Sequence, residues 1–202
     1  MLRLAFLMCL AALPLRAEEV VLGLSKDRVA ITATFEGSDI LLFGAVKREA
    51  PIPAVPLDVV VTVAGPSQPV TVRRKERVLG IWINTDEVAL DAAPTFYAVA
   101  TSGPLDEVLT ATEDLRYRVS IPRAIQSVGA ASMAGDVESF TEALMRIRER
   151  TDSYQLLENK VALDEQTLFR TAISLPANLT EGSYRTRIFL TREGRVVAQF
   201  ET

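Results

Sequence analysis

Three pairs of adjacent carboxylates, Asp86/Glu87, Asp106/Glu107 and Glu113/Asp114, are the residues whose type and spacing could do chemistry. Two carboxyl groups flanking a bond can serve as general acid and base, or as acid and nucleophile, on a glycosidic linkage. Neighbours on a strand point to opposite faces, so such a pair does not converge on one substrate from a strand. None of the three lies near an aromatic cluster of the kind that lines sugar sites, which favours solvated loop charge. Histidine is absent and the single cysteine is Cys9. Ser-His-Asp, Cys-His and His-based zinc arrangements therefore have no residues to form them. No loop carries the oxygen spacing of a calcium site, and no glycine loop could cradle phosphate. The expectation is no catalytic residue, no cofactor and no metal ligand.

Residues 1–17 have an early cation at Arg3, an apolar run from Leu4 to Leu13, a breaker at Pro14 and a small residue at Ala17. That layout predicts a secretory signal peptide cut between Ala17 and Glu18. Cys9 lies inside the leader, so the mature chain has no disulfide and must be held by its core. Removing Arg3 and Arg16 leaves 20 basic against 26 acidic residues. An acidic chain without a basic tract is a poor partner for nucleic acid or anionic headgroups. Arg73, Arg74, Lys75 and Arg77 form the one basic cluster, and Glu76 in its middle favours a solvated strand end over a phosphate site.

These residues must be positioned by strands. Val29, Ile31, Ala33 and Phe35 alternate with Ala30, Thr32 and Thr34, which is the strand period. Glu36 to Asp39 would turn the chain into an apolar second strand, Ile40 to Val46, making a β-hairpin around which the rest is arranged. Val20 to Ser25 reads as a first strand, and Pro51, Pro53 and Pro56 mark a connection or edge. A second hairpin is expected from Leu57–Ala64, through Gly65 to Gln68, into Val70–Arg73. Val78–Asn84 and Thr95–Thr101 read as strands joined by a turn-rich Thr85–Pro94, with Trp82 as core packing.

Leu105 to Arg116 reads as one short helix, with Leu105, Val108, Leu109 and Leu115 on one face. A clearer helix starts at Ser139, where Ser139 and Glu142 match a capping box and Phe140, Ala143, Leu144 and Ile147 form one buried face. Ala124 to Gly135, rich in Ala, Ser and Gly, reads as a mobile link. Strands return at Lys160–Leu163, Leu168–Leu175, Tyr184–Thr191 and Val196–Glu201. The step Glu181-Gly182-Ser183-Tyr184 resembles the corner of immunoglobulin-like sandwiches, where a tyrosine bonds back to the preceding loop. The expected fold is mostly β: an immunoglobulin-like antiparallel β-sandwich with a helical insertion. Its parts would be residues 1–17 as leader, 18–103 as the first β part, 104–158 as the insertion and 159–202 completing the sandwich.

The strings LSKDRVAIT, ILLFGAVK, IWIN, FYAVATS, IPRAI and LFRTAISLPANLTEGSYRTRIFLTREGRVV together resemble the alpha-proteobacterial putative transmembrane protein family. The resemblance implies a signal peptide, an exported β-rich domain and one C-terminal membrane helix. The chain stops at Thr202 without such an apolar run, so the expectation is either a fragment lacking its anchor or a free periplasmic version. The resemblance further implies a position on the periplasmic side of the inner membrane and, as partner, a transport protein of the sulfite-exporter type. The resulting expectation is a non-enzymatic binding or accessory module. The rival readings are a structural envelope protein and a carboxylate-based enzyme acting on envelope polymers.

Overall fold

The computed structural model describes residues 19–24, 37–48, 51–126 and 137–202. Along the chain run β1 (Glu19–Leu24), β2 (Ser38–Lys47), β3 (Asp58–Ala64), β4 (Ser67–Val78), β5 (Ile81–Pro94) and β6 (Tyr97–Thr101). Four helices follow: α1 (Leu105–Val108), α2 (Ala111–Tyr117), α3 (Ile121–Ala124) and α4 (Val137–Glu149). The chain then returns to β7 (Tyr154–Leu157), β8 (Ala162–Asp164), β9 (Leu168–Leu175), β10 (Arg185–Arg192) and β11 (Arg195–Glu201). The protein is mostly β. Its described strands make a four-stranded sheet A in the order β1-β2-β9-β8, a five-stranded sheet B in the order β11-β10-β3-β6-β7, and a two-stranded ribbon β4-β5. All pairings are antiparallel except β6 with β7.

Alternation decides which faces meet. On β9 every second residue, Phe169, Thr171, Ile173 and Leu175, is buried. Phe169, Ile173 and Leu175 share one core with Leu42 and Val46 of β2 and with Val59, Val61, Val63, Ile188 and Leu190 of sheet B. The two sheets thus pack face to face, and strands from both sides of the helical stretch contribute to that core. The opposite face of sheet B, with Val60, Tyr97, Val99 and Phe189, packs on a second core built by Val108, Leu109, Val119, Phe140 and Leu144 of the helical stretch and Val72, Val88 and Leu90 of the ribbon. Sheet B is therefore covered on both sides, which is why β3 is buried without a break from Val59 to Val63.

Several expectations are corrected. Leu57–Ala64 does not pair with Val70–Arg73, because both edges of β3 are taken by β10 and β6. Instead Gly65 and Pro66 lead the chain out of sheet B, held by Gly65 N–H to the Phe96 carbonyl (2.8 Å) and Thr95 N–H to the Pro66 carbonyl (2.9 Å). Thr85–Pro94 is strand, since the ribbon turns at Leu79 and Gly80, whose φ values are 51° and 88°. The helix over Leu105–Arg116 breaks in two. Thr110 N–H is held by the Gly194 carbonyl of the β10–β11 turn, and its hydroxyl caps α2 by accepting from Glu113 N–H. Leu115 is consequently exposed.

Helix α4 already includes Val137, and the Ser139 hydroxyl accepts a bond from Arg74 (3.0 Å). Phe140 and Leu144 are buried as expected, but Ile147 faces solvent. The stretch 104–158 also holds a strand, β7, laid parallel to β6. The strand Val29–Phe35, its turn at Glu36, the Ala17/Glu18 cut and all but the start of the Ala124–Gly135 link lie outside the described residues. At that start Gln126 bridges to Ala92 through two backbone bonds of 2.8 and 3.2 Å.

One end of sheet B organises what projects from the molecule. Ala64 of β3 stands opposite Arg185, Arg187 opposite Glu201, and Thr202 exchanges backbone bonds with Thr186. The ribbon starts at Ser67, three residues past Ala64. The ribbon base and Thr202 therefore sit at the same end of the sheet.

Candidate functional site

Each carboxylate pair has its own structural engagement. Asp86 and Glu87 lie on β5 and meet cations across the ribbon, Asp86 with Arg74 (3.6 Å) and Glu87 with Arg73 (3.0 Å). Asp106 and Glu107 open α1, where the helix N-terminus favours negative charge. Glu113 is nearly buried; one oxygen meets Arg116 (3.2 Å) and the other accepts Val196 N–H (3.1 Å). Asp114 accepts the backbone N–H groups of Val119 (3.1 Å) and Ser120 (2.7 Å), and the Ser120 hydroxyl (2.7 Å). That cluster fixes the turn after α2, where Arg118 adopts φ 51°. No group of three or more metal-ligating side chains comes together among the described residues.

A second polar cluster sits at the edge of the helical core. Arg187 donates to the carbonyls of Tyr117 (2.6 Å) and Arg118 (3.0 Å) and to the Tyr97 hydroxyl (3.0 Å), while its guanidinium lies over the Phe189 ring at 5.3 Å. The Tyr97 hydroxyl donates in turn to the Val119 carbonyl (2.8 Å). Burial raises the Tyr97 phenol above its ordinary range, and the Arg187 charge offsets part of the rise. Apart from the bond between Arg187 and the Tyr97 hydroxyl, the donors are matched to backbone acceptors of the α2–α3 turn, so the cluster pins that turn to sheet B.

The feature with the shape of a binding surface is the outer face of sheet A. Two rows of residues cross its four strands: Val21, Ala45, Leu168 and Asp164 in one, and Gly23, Phe43, Arg170 and Ala162 in the next. All of these but Ala162 line a groove of about 450 Å³. Val21, Phe43 and Leu168 are each about half exposed there. Gly23 matters to its shape, because a Cβ at that position would stand 2.4 Å from Phe43 Cε2; the aromatic ring lies across the glycine. Arg170 and Asp164 close the rim at 3.9 Å from each other. The signal in the sequence was the apolar content of β2 and β9 in both phases: Leu41, Phe43 and Leu168 lie on the parity opposite to the buried one.

A different surface carries Trp82. It is 67% exposed, on the outer half of the ribbon, and is not part of either core. Its apolar neighbours Ile81 and Ile83 are exposed with it.

The family model described as Putative transmembrane protein (Alph_Pro_TM) matches residues 19–202. The chain belongs to that family. No curated protein and no solved structure matches it. For this Alph_Pro_TM member, no helix among the described residues is long and apolar enough to cross a membrane.

Proposed function

We propose that the chain is an exported, non-enzymatic accessory module that engages a transport protein of the inner membrane through the outer face of sheet A. The observation that carries this reading is the groove over Val21, Phe43 and Leu168: an apolar concavity left on the outside of a sheet whose other face is fully used. The module is an immunoglobulin-like sandwich. Support comes from the face-to-face sheets and from Tyr184, whose hydroxyl donates to the Thr180 carbonyl (2.8 Å) at the entry to β10, the corner arrangement of such folds. Gly182 at φ 150° allows the loop to approach Pro66 closely, since a Cβ there would lie 2.5 Å from the proline ring.

The module works on the periplasmic side, released from its leader between Ala17 and Glu18 and held by a helix that follows Thr202 in the full product. The membership in a family described as transmembrane supports the anchor, and the family match over residues 19–202 accords with that cut. A photo-crosslinking residue at Leu168 in the full-length product, expressed in its native cells, tests the reading. The expected outcome is one dominant adduct with an integral membrane protein, lost when Phe43→Arg fills the groove with charge. Adducts only with soluble proteins, or none, would sink it.

A further inference from the structure

The outer half of the β4–β5 ribbon presents apolar side chains to solvent in a graded order. At its tip Leu79 is 100% exposed; behind it come Ile81 (66%), Trp82 (67%), Val78 (42%) and Ile83 (39%). Arg77 stands level with Trp82 and Glu76 level with Ile83; Lys75 follows, and last come the paired charges Arg74–Asp86 and Arg73–Glu87. Register shows that this is not a one-sided stripe. Val78 faces Ile81 and Glu76 faces Ile83, so one side of the ribbon carries Val78, Ile81 and Ile83; Arg77 faces Trp82 and Lys75 faces Asn84 on the other. Apolar groups therefore point out of both faces and off the end.

The turn itself is the second observation. A two-residue connection with positive φ at both central positions is the type favoured as Asn-Gly or Asp-Gly. Here it is Leu79-Gly80, with Leu79 at φ 51°. A leucine in the left-handed region is strained, and no contact within the fold repays it, because the side chain is wholly exposed.

We propose that this ribbon tip inserts end-on into the interfacial region of a lipid bilayer. A groove on a protein partner would cover one face of a ribbon, whereas a bilayer surrounds an inserted tip on both faces and at the end. The axial order also suits a membrane interface: the aliphatic Leu79, Val78 and Ile81 lie deepest, Trp82 stands level with Arg77 where headgroups would be, and after Ile83 and Glu76 the chain is charged, with Lys75 and then the ion pairs outermost. The distance suits it. Val72 and Val88 are buried in the core while residues 75–87 are all exposed, so seven residues of strand from Val72 to Leu79 extend the tip by roughly 20 Å. The base of the ribbon lies at the end of sheet B that also carries Thr202. The inference goes beyond the accessory role and stands without it, since it rests on the ribbon and not on the groove of sheet A.

Trp82, the only tryptophan, is the probe. The purified protein is titrated with vesicles of mixed phosphatidylethanolamine and phosphatidylglycerol, and in parallel with phosphatidylcholine vesicles. The expected result is a blue shift of Trp82 emission with both, and quenching by lipids brominated along the acyl chain. Leu79→Asp, which keeps a residue suited to the turn and so keeps the fold, should weaken partitioning roughly tenfold or more. Lys75→Gln with Arg77→Gln should reduce binding to the anionic vesicles and leave the phosphatidylcholine arm unchanged. Emission unmoved by lipid overturns the proposal. So does a blue shift that grows with protein concentration in the absence of lipid, which would make a second copy the occupant, or partitioning that Leu79→Asp leaves intact. None of these outcomes bears on cross-linking at Leu168, so the two readings fail separately.

Discussion

The centre of sheet B and the outer half of the β4–β5 ribbon carry the same kind of side chain on both faces and meet opposite fates. Val60, Val61, Ile188 and Phe189 have no exposed surface: Val61 and Ile188 pack toward sheet A, Val60 and Phe189 toward the helices. Leu79, Ile81, Trp82 and Ile83 have no such layers on either side. A two-faced apolar strand must be covered twice. For β3 and β10 the chain supplies both covers itself. For the ribbon tip the described residues supply neither, and the strained leucine at the turn shows that the exposure is built in at a cost to the isolated fold.

That contrast can be broken by substitution. Phe189→Ala removes a ring that meets Tyr117 at a tilt of 56° with centroids 5.5 Å apart and lies under Arg187, and leaves a hole between two layers. A loss of about 3 to 5 kcal/mol is expected in urea unfolding followed by circular dichroism. Trp82→Ala should stay within about 0.5 kcal/mol of the parent in the same measurement, since the side chain is mostly in water already. Equal costs for the two would show that Trp82 has cover within the fold. The emission of Trp82 adds a check, for it should barely move as the protein unfolds.

The same contrast has a titration counterpart at Tyr154, on the covered side. Its hydroxyl donates to the Pro94 carbonyl (2.9 Å), and burial pushes the phenol up to about 12, with the Arg148 charge offsetting part of the rise. In the unfolded chain the group titrates near 10. Below about pH 10 both states keep the proton and its contribution is whole. Between about 10 and 12 only the unfolded chain releases it, so stability must fall as pH rises, by an amount on the order of 2 kcal/mol for Tyr154. Tyr97 is raised in the same direction and adds to the fall. Tyr154→Phe should cost about 1 kcal/mol at neutral pH through the lost hydrogen bond, and should flatten the alkaline limb of the stability curve. An alkaline limb unchanged in that variant would place the titrating group elsewhere.

What could be read from residues alone follows from how local the cause is. The alternation of Leu168–Leu175, the turn Arg192–Arg195 and the Tyr184 corner are set by neighbours along the chain, and all three are found where expected. Partner choice is not local. Val59 to Val63 announces a buried strand, but nothing within it says that β10 and β6 will take its edges before β4 can. The break at Thr110 is set by the Gly194 carbonyl, more than eighty positions away. Trp82 shows the limit most plainly: the run from Val78 to Ile83 says that these side chains favour leaving water, and is silent on what receives them. The outer groove was half legible, since Phe43 and Leu168 are out of phase with their buried neighbours.

The change expected with the opposite sign is the most pointed, and it concerns the turn. Replacing Leu79 by Asn puts a residue that tolerates the left-handed region into a turn that favours Asn-Gly. No packing is lost, because Leu79 touches water on every side and a Cβ even at its neighbour Gly80 would meet nothing within 4 Å. The variant should therefore be more stable than the parent by about 0.5 to 1 kcal/mol in urea, a rare sign for a leucine-to-asparagine change in a β protein. A residue retained for the fold would give the opposite sign. If Leu79→Asn destabilises, the tip has contacts within the chain, and the distinction between a strand covered from within and one left for an outside partner no longer holds at the ribbon.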